Sequence, residues 1–278
     1  PAVPPHPQDA GAIQPPPPLP ATPPAARAWT TKGRFGAFVS DTHAGGDSSQ
    51  SPDPTIRGTT NTAHWLLTFD GALDWRGAVE SVDQSLIAKY GRAKQSEAPW
   101  TTSTDELRYD GVYRRDIDKP LFLYGGWGLQ TLFEGPLDPF QAHASTGVGQ
   151  LFEDLLPIHD KLEWRLGVRA QRTWGKDLPE GSGDYTVGPE AYLRYERQVS
   201  KDLRFFVQSE AYDEFRDLGH VTSLTSAGLQ AQVSRYITAE INLRAYYEAR
   251  PRRVSGAGVG YSEWFVRQDA LVGLTYSF

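Results

Sequence analysis

The stretch WFVRQDALVGLTYSF, Trp264 to Phe278, decides how this chain is read. Trp264, Val266, Ala270, Val272, Leu274, Tyr276 and Phe278 share one parity, while Phe265, Arg267 and Asp269 fall on the other. Successive side chains of a strand point to opposite faces, so this alternation describes a strand with an apolar side and a polar side.

The same cadence runs through most of the chain. Earlier runs of one apolar parity are Phe35 to Val39, Trp65 to Trp75, Val82 to Tyr90, Leu107 to Tyr113 and Leu121 to Phe133. Phe140 to Val148 is a weaker run, followed by Leu162 to Ala170, Val187 to Val199, Leu203 to Ala211, Val221 to Val233 and Ile237 to Tyr247. With the last stretch they make twelve strands. Composition agrees, because 13 Tyr, 8 Trp and 12 Phe sit in a chain of mean hydropathy −0.49, which disperses the apolar residues among polar ones. No run approaches the roughly 20 consecutive apolar residues of a membrane helix. The absence of cysteine excludes a disulfide framework, a thiolate metal site, a cysteine nucleophile and a lipid-anchor cysteine.

A soluble sandwich and a membrane barrel both alternate, and the connections separate them. Strands one and two are joined by some twenty residues, strands two and three by about Arg76 and Gly77. Three to four, seven to eight and eleven to twelve are long; four to five, eight to nine and ten to eleven are tight. Six to seven, FEDLLPIHDK, is longer than a strict alternation of short turns and long loops would have it. An even number of strands joined alternately by short turns and long loops predicts an all-β, transmembrane, antiparallel up-and-down barrel of a Gram-negative outer membrane, with the short turns periplasmic. Its expected surroundings are outer-membrane lipid and lipopolysaccharide. The basic Arg250, Arg252 and Arg253, at the base of an outer loop, suit lipopolysaccharide phosphates or plain solvation.

The ending G-x-x-Y-x-F, Gly273, Tyr276 and Phe278, resembles the C-terminal β-signal of outer-membrane barrels, which implies recognition by the barrel assembly machinery. A narrower resemblance lies in LDWRGAVESVDQSLIAKYGRAKQ (73–95), STDELRYDGVYRRDIDKPLFLYGGWGLQTLFEG (103–135) and QAHASTGVGQLFED (141–154). This cadence of a Trp-bearing strand, a strand opening with an acidic pair and a Tyr, and a Gly-rich pair of strands is similar to the uncharacterised barrels grouped with salt-induced outer-membrane proteins. That resemblance implies a barrel and no chemistry.

With the apolar parity toward lipid, the inward parity carries Arg108, Arg114, Arg165, Arg169, Arg194, Arg204, Arg244 and Arg267. Facing them are Asp110, Glu163, Glu190, Glu196, Glu210, Glu214, Glu240, Glu248 and Asp269. Opposite charges on adjacent strands predict a salt-bridge lattice; the alternative is a narrow polar pore whose charges steer small solutes. Eight strands fill with their own side chains and sixteen leave a channel, so twelve is the intermediate case. Inward Tyr124, Tyr192, Phe206, Tyr212, Tyr246 and Phe265 favour obstruction.

Twelve-stranded outer-membrane phospholipases carry a His-x-Ser pair, and His143-Ala144-Ser145 has that spacing on one face of a strand. It lies on the inward parity and has no nearby Asn to orient the imidazole, so no enzymatic activity is expected. His6, His43, His64, His143, His159 and His220 are scattered, the acidic cluster Asp105, Glu106 and Asp110 reads as decoration of a strand entrance rather than a cation site, and the loop GGDSSQSPDP lacks the alternating Asp ladder of calcium sites, so no metal or cofactor is expected. The net charge of −6 gives nucleic-acid binding no support.

Residues 1–27 hold 11 of the 21 prolines and read as an extended, polyproline-II-like periplasmic segment preceding a barrel at 28–278. Pro15, Pro16, Pro17, Pro18 and Pro20 are its candidate docking residues for a periplasmic protein or the cell wall. A chain that begins at Pro1 rather than Met reads as one whose secretory leader has been removed or that has been trimmed. Three roles are open: an anchor or scaffold, a narrow channel for small polar solutes, and, most remotely, a lipid hydrolase using Ser145.

Overall fold

The alternation becomes a closed barrel. A computed structural model describes residues 28–45, 62–94, 99–134, 137–153, 160–176, 185–216, 218–250 and 261–278. The proline-rich segment, the longest outer loop and the basic run that begins beyond Arg250 lie outside the described residues.

The strands, in chain order, are β1 (Ala28–Gly45), β2 (Thr62–Arg76), β3 (Glu80–Ala93), β4 (Thr101–Asp118), β5 (Leu121–Thr131) and β6 (Phe140–Glu153). They continue as β7 (Asp160–Trp174), β8 (Thr186–Ser200), β9 (Leu203–Tyr212), β10 (Thr222–Gln232), β11 (Ile237–Arg250) and β12 (Tyr261–Ser277). Each pairs antiparallel with its sequence neighbours, and β1 pairs with β12 to close the ring. The sixth strand, weak in sequence, is a full 14 residues and pairs over most of its length with β7. At the fifth, the strand stops at Thr131, short of Phe133, because the Asp105 carboxylate accepts the amides of Phe133 and Glu134 at 2.6 and 2.7 Å and turns the chain away.

Closure depends on the last residues. Phe35 faces Tyr276 and Phe38 faces Gly273 across the seam, and the amides and carbonyls of Gly33 and Phe278 exchange two hydrogen bonds of 3.0 Å. Gly273 has no alternative there: a Cβ would collide with the Ala37 carbonyl and the Phe38 ring. Phe278 lies over Gly33 and packs 6.1 Å from Phe35 and 6.2 Å from Tyr276, ring centre to ring centre.

Burial is inverted relative to a soluble domain. Val272, Leu274, Ile241 and Leu166 are more than half exposed, whereas Glu106, Arg267, Glu248 and Glu163 are buried. Water would penalise that outer surface; hydrocarbon does not, and a closed ring leaves no unpaired strand edge in it. Aromatic residues mark both ends of the apolar band. Trp29 with Trp75 and Tyr195 with Phe205 lie toward the short turns, and Trp65 with Tyr90, Phe140 with Trp174 and Tyr247 with Trp264 toward the long loops. Trp65 and Trp75 are ten residues apart on β2. At about 3.3 Å per residue and a tilt near 40° that separation spans about 25 Å, the height of an outer-membrane apolar belt. The molecule is a twelve-stranded outer-membrane β-barrel.

Candidate functional site: a laced lumen

Inward side chains of all twelve strands converge on one axis, and β4 is where they meet. Its inward parity reads Glu106, Arg108, Asp110, Val112, Arg114, so charges of alternating sign are stacked along one wall. Arg108 donates to Asp110 on its own strand at 2.6 Å and, at 2.8 Å, to Glu210 of β9. Counting β4-β5-β6-β7-β8-β9, that partner is five strands away in a ring of twelve, nearly the opposite wall. Arg244 of β11, five strands away in the other direction, reaches Glu106 at 3.3 Å, and Lys89 of β3 approaches the same carboxylate at 3.7 Å. Arg267 of β12 donates to the Thr104 hydroxyl at 2.8 Å and the Ser103 carbonyl at 3.2 Å, and to Asp269 at 3.0 Å. Arg114 grips both oxygens of Glu163 on β7 at 2.9 and 3.0 Å and also pairs with Asp83.

Ion pairs join many of these inward side chains, and adjacent strands supply only part of them. Neighbour pairs do occur: Arg34 with Asp70 at 2.7 Å, and Glu196 between Arg194 and Arg204. Other contacts bridge strands two to five places apart. They include Arg34 with Glu240 at 2.6 Å, Arg169 with Glu210 at 3.6 Å and the Tyr124 hydroxyl donating to Glu190 at 3.0 Å. A bridge within one wall leaves a lumen open, whereas a bridge between walls crosses it. Arg34, Asp70, Asp83 and Lys89 belong to the lattice without having been singled out in the sequence, although the parity rule that found the others reaches them too.

Aromatic residues fill around the charges. The Arg165 guanidinium stacks 3.8 Å from the Tyr192 ring centre and 5.3 Å from that of Tyr124, while Arg114 lies over Phe122. Phe38, Leu66 and Leu271 make a buried apolar cluster inside β1, β2 and β12. Glu248 pairs with His220 at 3.2 Å.

Toward the long-loop end the packing opens into a cavity of about 200 Å³, bounded by Arg108, Asp110, Gln130, His143, Arg169 and Glu210 among others. His143 lies over Gly128, and Ser145 is set against Gly126, so both members of the His-x-Ser pair face the lumen, as their parity predicts. The acidic cluster is divided by the structure: Asp105 ends a strand, whereas Glu106 and Asp110 enter the lattice. Among the described residues no group of three or more His, Asp or Glu is placed to hold a metal ion. Outside the membrane-crossing strands, Glu134 accepts from the Thr102 and Tyr90 hydroxyls at 2.6 Å each, and these bonds hold its carboxyl below the usual carboxylate range.

The chain belongs to the family described as protein of unknown function, DUF481, whose model matches residues 56–262. No curated protein matches the sequence. Solved structures similar to it include an outer-membrane channel from Pseudomonas putida F1, with 8% identity, TM-score 0.41, and 93% of this chain and 99% of that one covered. The NanC porin shows 13% identity and TM-score 0.42 over 86% of this chain and 98% of its own. An anion-selective porin from Comamonas acidovorans shows 12% identity and TM-score 0.38 over 91% and 100%.

Proposed function

We propose that the barrel is an outer-membrane anchor or scaffold with an obstructed lumen, and that residues 1–27 dock a periplasmic protein or the cell wall. The observation that carries this reading is the pair of bridges Arg108–Glu210 and Arg244–Glu106, each of which joins nearly opposite walls. A solute or ion passing through would have to part them. In low dielectric such pairs are held tightly, because removing one partner strands a buried charge. What supports the docking role is where β1 begins: Ala28 lies opposite Arg76 and beside the short turn after β2, on the rim the rule for outer-membrane barrels makes periplasmic.

A planar-bilayer recording of the full-length protein beside a variant lacking residues 1–27 tests the closed lumen, with silence expected from both. In the same variant, co-sedimentation of the barrel with isolated cell wall is lost if the tail is the anchor. Reproducible conductance steps from the full-length protein would replace this reading with a narrow channel, which the cavity near the long-loop end supports. As part of the anchor reading the barrel has no hydrolase activity, and Ser145→Ala leaves the cellular lipid profile unchanged.

A further inference from the structure

Around the cavity at the long-loop end several hydrogen-bonding groups have no protein partner among the described residues. Gln130 and Gln171 line the cavity and have no hydrogen-bond partner among the described residues, and neither does the His143 ring. Arg169 meets Glu190 and Glu210 at 3.7 and 3.6 Å, beyond hydrogen-bond length, and its buried Nε has no partner. Gln130, Gln171 and His143 are half-buried and the Arg169 Nε is fully buried, so the cavity wall offers polar groups that no protein partner occupies and that a polar ligand can engage.

The lining also restricts what that is. Arg108 and Arg169 are matched by Asp110 and Glu210, so the cavity carries no net charge to attract an ion of either sign. What remains on offer is mixed: guanidinium donors, carboxylate acceptors, and amides that do both. A hydroxyl group, donor and acceptor at once, complements such a lining; a carboxylate or an ammonium satisfies half of it and is repelled by the other half. The Tyr212 ring forms part of the wall and supplies an apolar face for C–H groups. The volume of about 200 Å³ has room for a single sugar ring.

We infer that this cavity is a binding site for a small neutral polyhydroxylated solute of monosaccharide size. The inference rests on the cavity alone and holds whether or not the barrel conducts.

The test uses the full-length protein in detergent micelles, with D-glucose, D-galactose and D-mannose as probes in ligand-observed saturation-transfer NMR. At least one hexose gives saturable transfer, glucuronate and inorganic phosphate bind more weakly, and the double variant Gln130→Leu/Gln171→Leu loses affinity by about tenfold or more. Both substitutions sit on lining side chains without protein partners, and the variant's folding is checked by its heat-modifiable band on an unheated gel. Should that band be lost, Gln130→Met/Gln171→Met, close to glutamine in length and without its donors and acceptor, carries the comparison with the same loss expected. No saturable transfer from any of the three hexoses would overturn the inference. So would tighter binding of phosphate or glucuronate, or undiminished hexose binding by a folded variant.

Discussion

Glu240 and Ile241 are neighbours on β11 and sit in different solvents. Ile241 is half exposed on the outer surface, where any lipid chain can touch it, while Glu240 is buried between Arg34 and Gln230, held at 2.6 and 2.7 Å. The same division runs around the whole ring. The outer face asks only that a side chain be apolar and, near the rims, aromatic, so many residues would serve at each position. Most charged lumen side chains are tied to a particular partner, some on a distant strand, and tolerate little. The outer face is thus specified by a class of residue and the lumen by individual pairs.

The sharpest way to break this distinction is at the seam, where both faces meet. Gly273→Val forces a side chain into the Ala37 carbonyl and the Phe38 ring, with strand backbone on one side and a buried aromatic on the other. We expect no closed barrel, read as loss of the heat-modifiable band and of membrane-inserted protein. Next comes the lumen. Arg114→Met takes the shared cation from Glu163 and Asp83, leaving Glu163 with Arg165 at 3.3 Å and Asp83 with Arg76, and we expect a loss of about 3 kcal/mol in urea unfolding from lipid vesicles, the low end of the cost of breaking a buried pair. If the loss is under about 1 kcal/mol, water must already screen that pair and the lumen is wetter than its packing implies.

On the outer face, Ile241→Arg puts a charge against lipid and is expected to cost about 2–4 kcal/mol near the membrane centre, less toward a rim, whereas Ile241→Val should be almost silent by the same measurement. A large effect of the valine variant would show that the outer face, too, depends on individual contacts. The smallest effect belongs to the connection between β5 and β6. Because the Glu134 carboxyl is held below its ordinary value of 4.5, the stability it contributes is fully present above that pH and is lost as pH falls through its lowered folded-state value. Hydrogen exchange in this connection should quicken at acid pH, and Glu134→Gln should flatten that part of the profile.

How far the site was legible follows the same division. Parity in ELRYDGVYRR was enough to send Arg108, Asp110 and Arg114 inward, because a period of two needs no knowledge of the partner strand. It was not enough to say that Arg108 would reach Glu210 and Arg114 would reach Glu163. Adjacent-strand pairing was the natural expectation, since register supplies neighbours directly. Asp105 eluded the reading for a different reason: its parity is that of Tyr109, facing outward, and its role is to accept two backbone amides from a loop that only the folded chain brings beside it. The cavity had no sequence signal at all, for Gln130 and Gln171 are ordinary polar residues until the lattice around them is seen to leave them out.

The sequence by itself determined the number of strands, which side of each meets lipid, the tight and long ends of the barrel and the aromatic, glycine-bearing stretch that closes it. These are properties of one strand and its immediate neighbours, written in a short period and in turn length. Only the tertiary structure decided that β4 is the hub of the lumen, that its bridges run from wall to wall, and that a small polar space survives near one end. Those depend on curvature and closure, which set the distance between strands a hundred residues apart, and no local pattern encodes that distance.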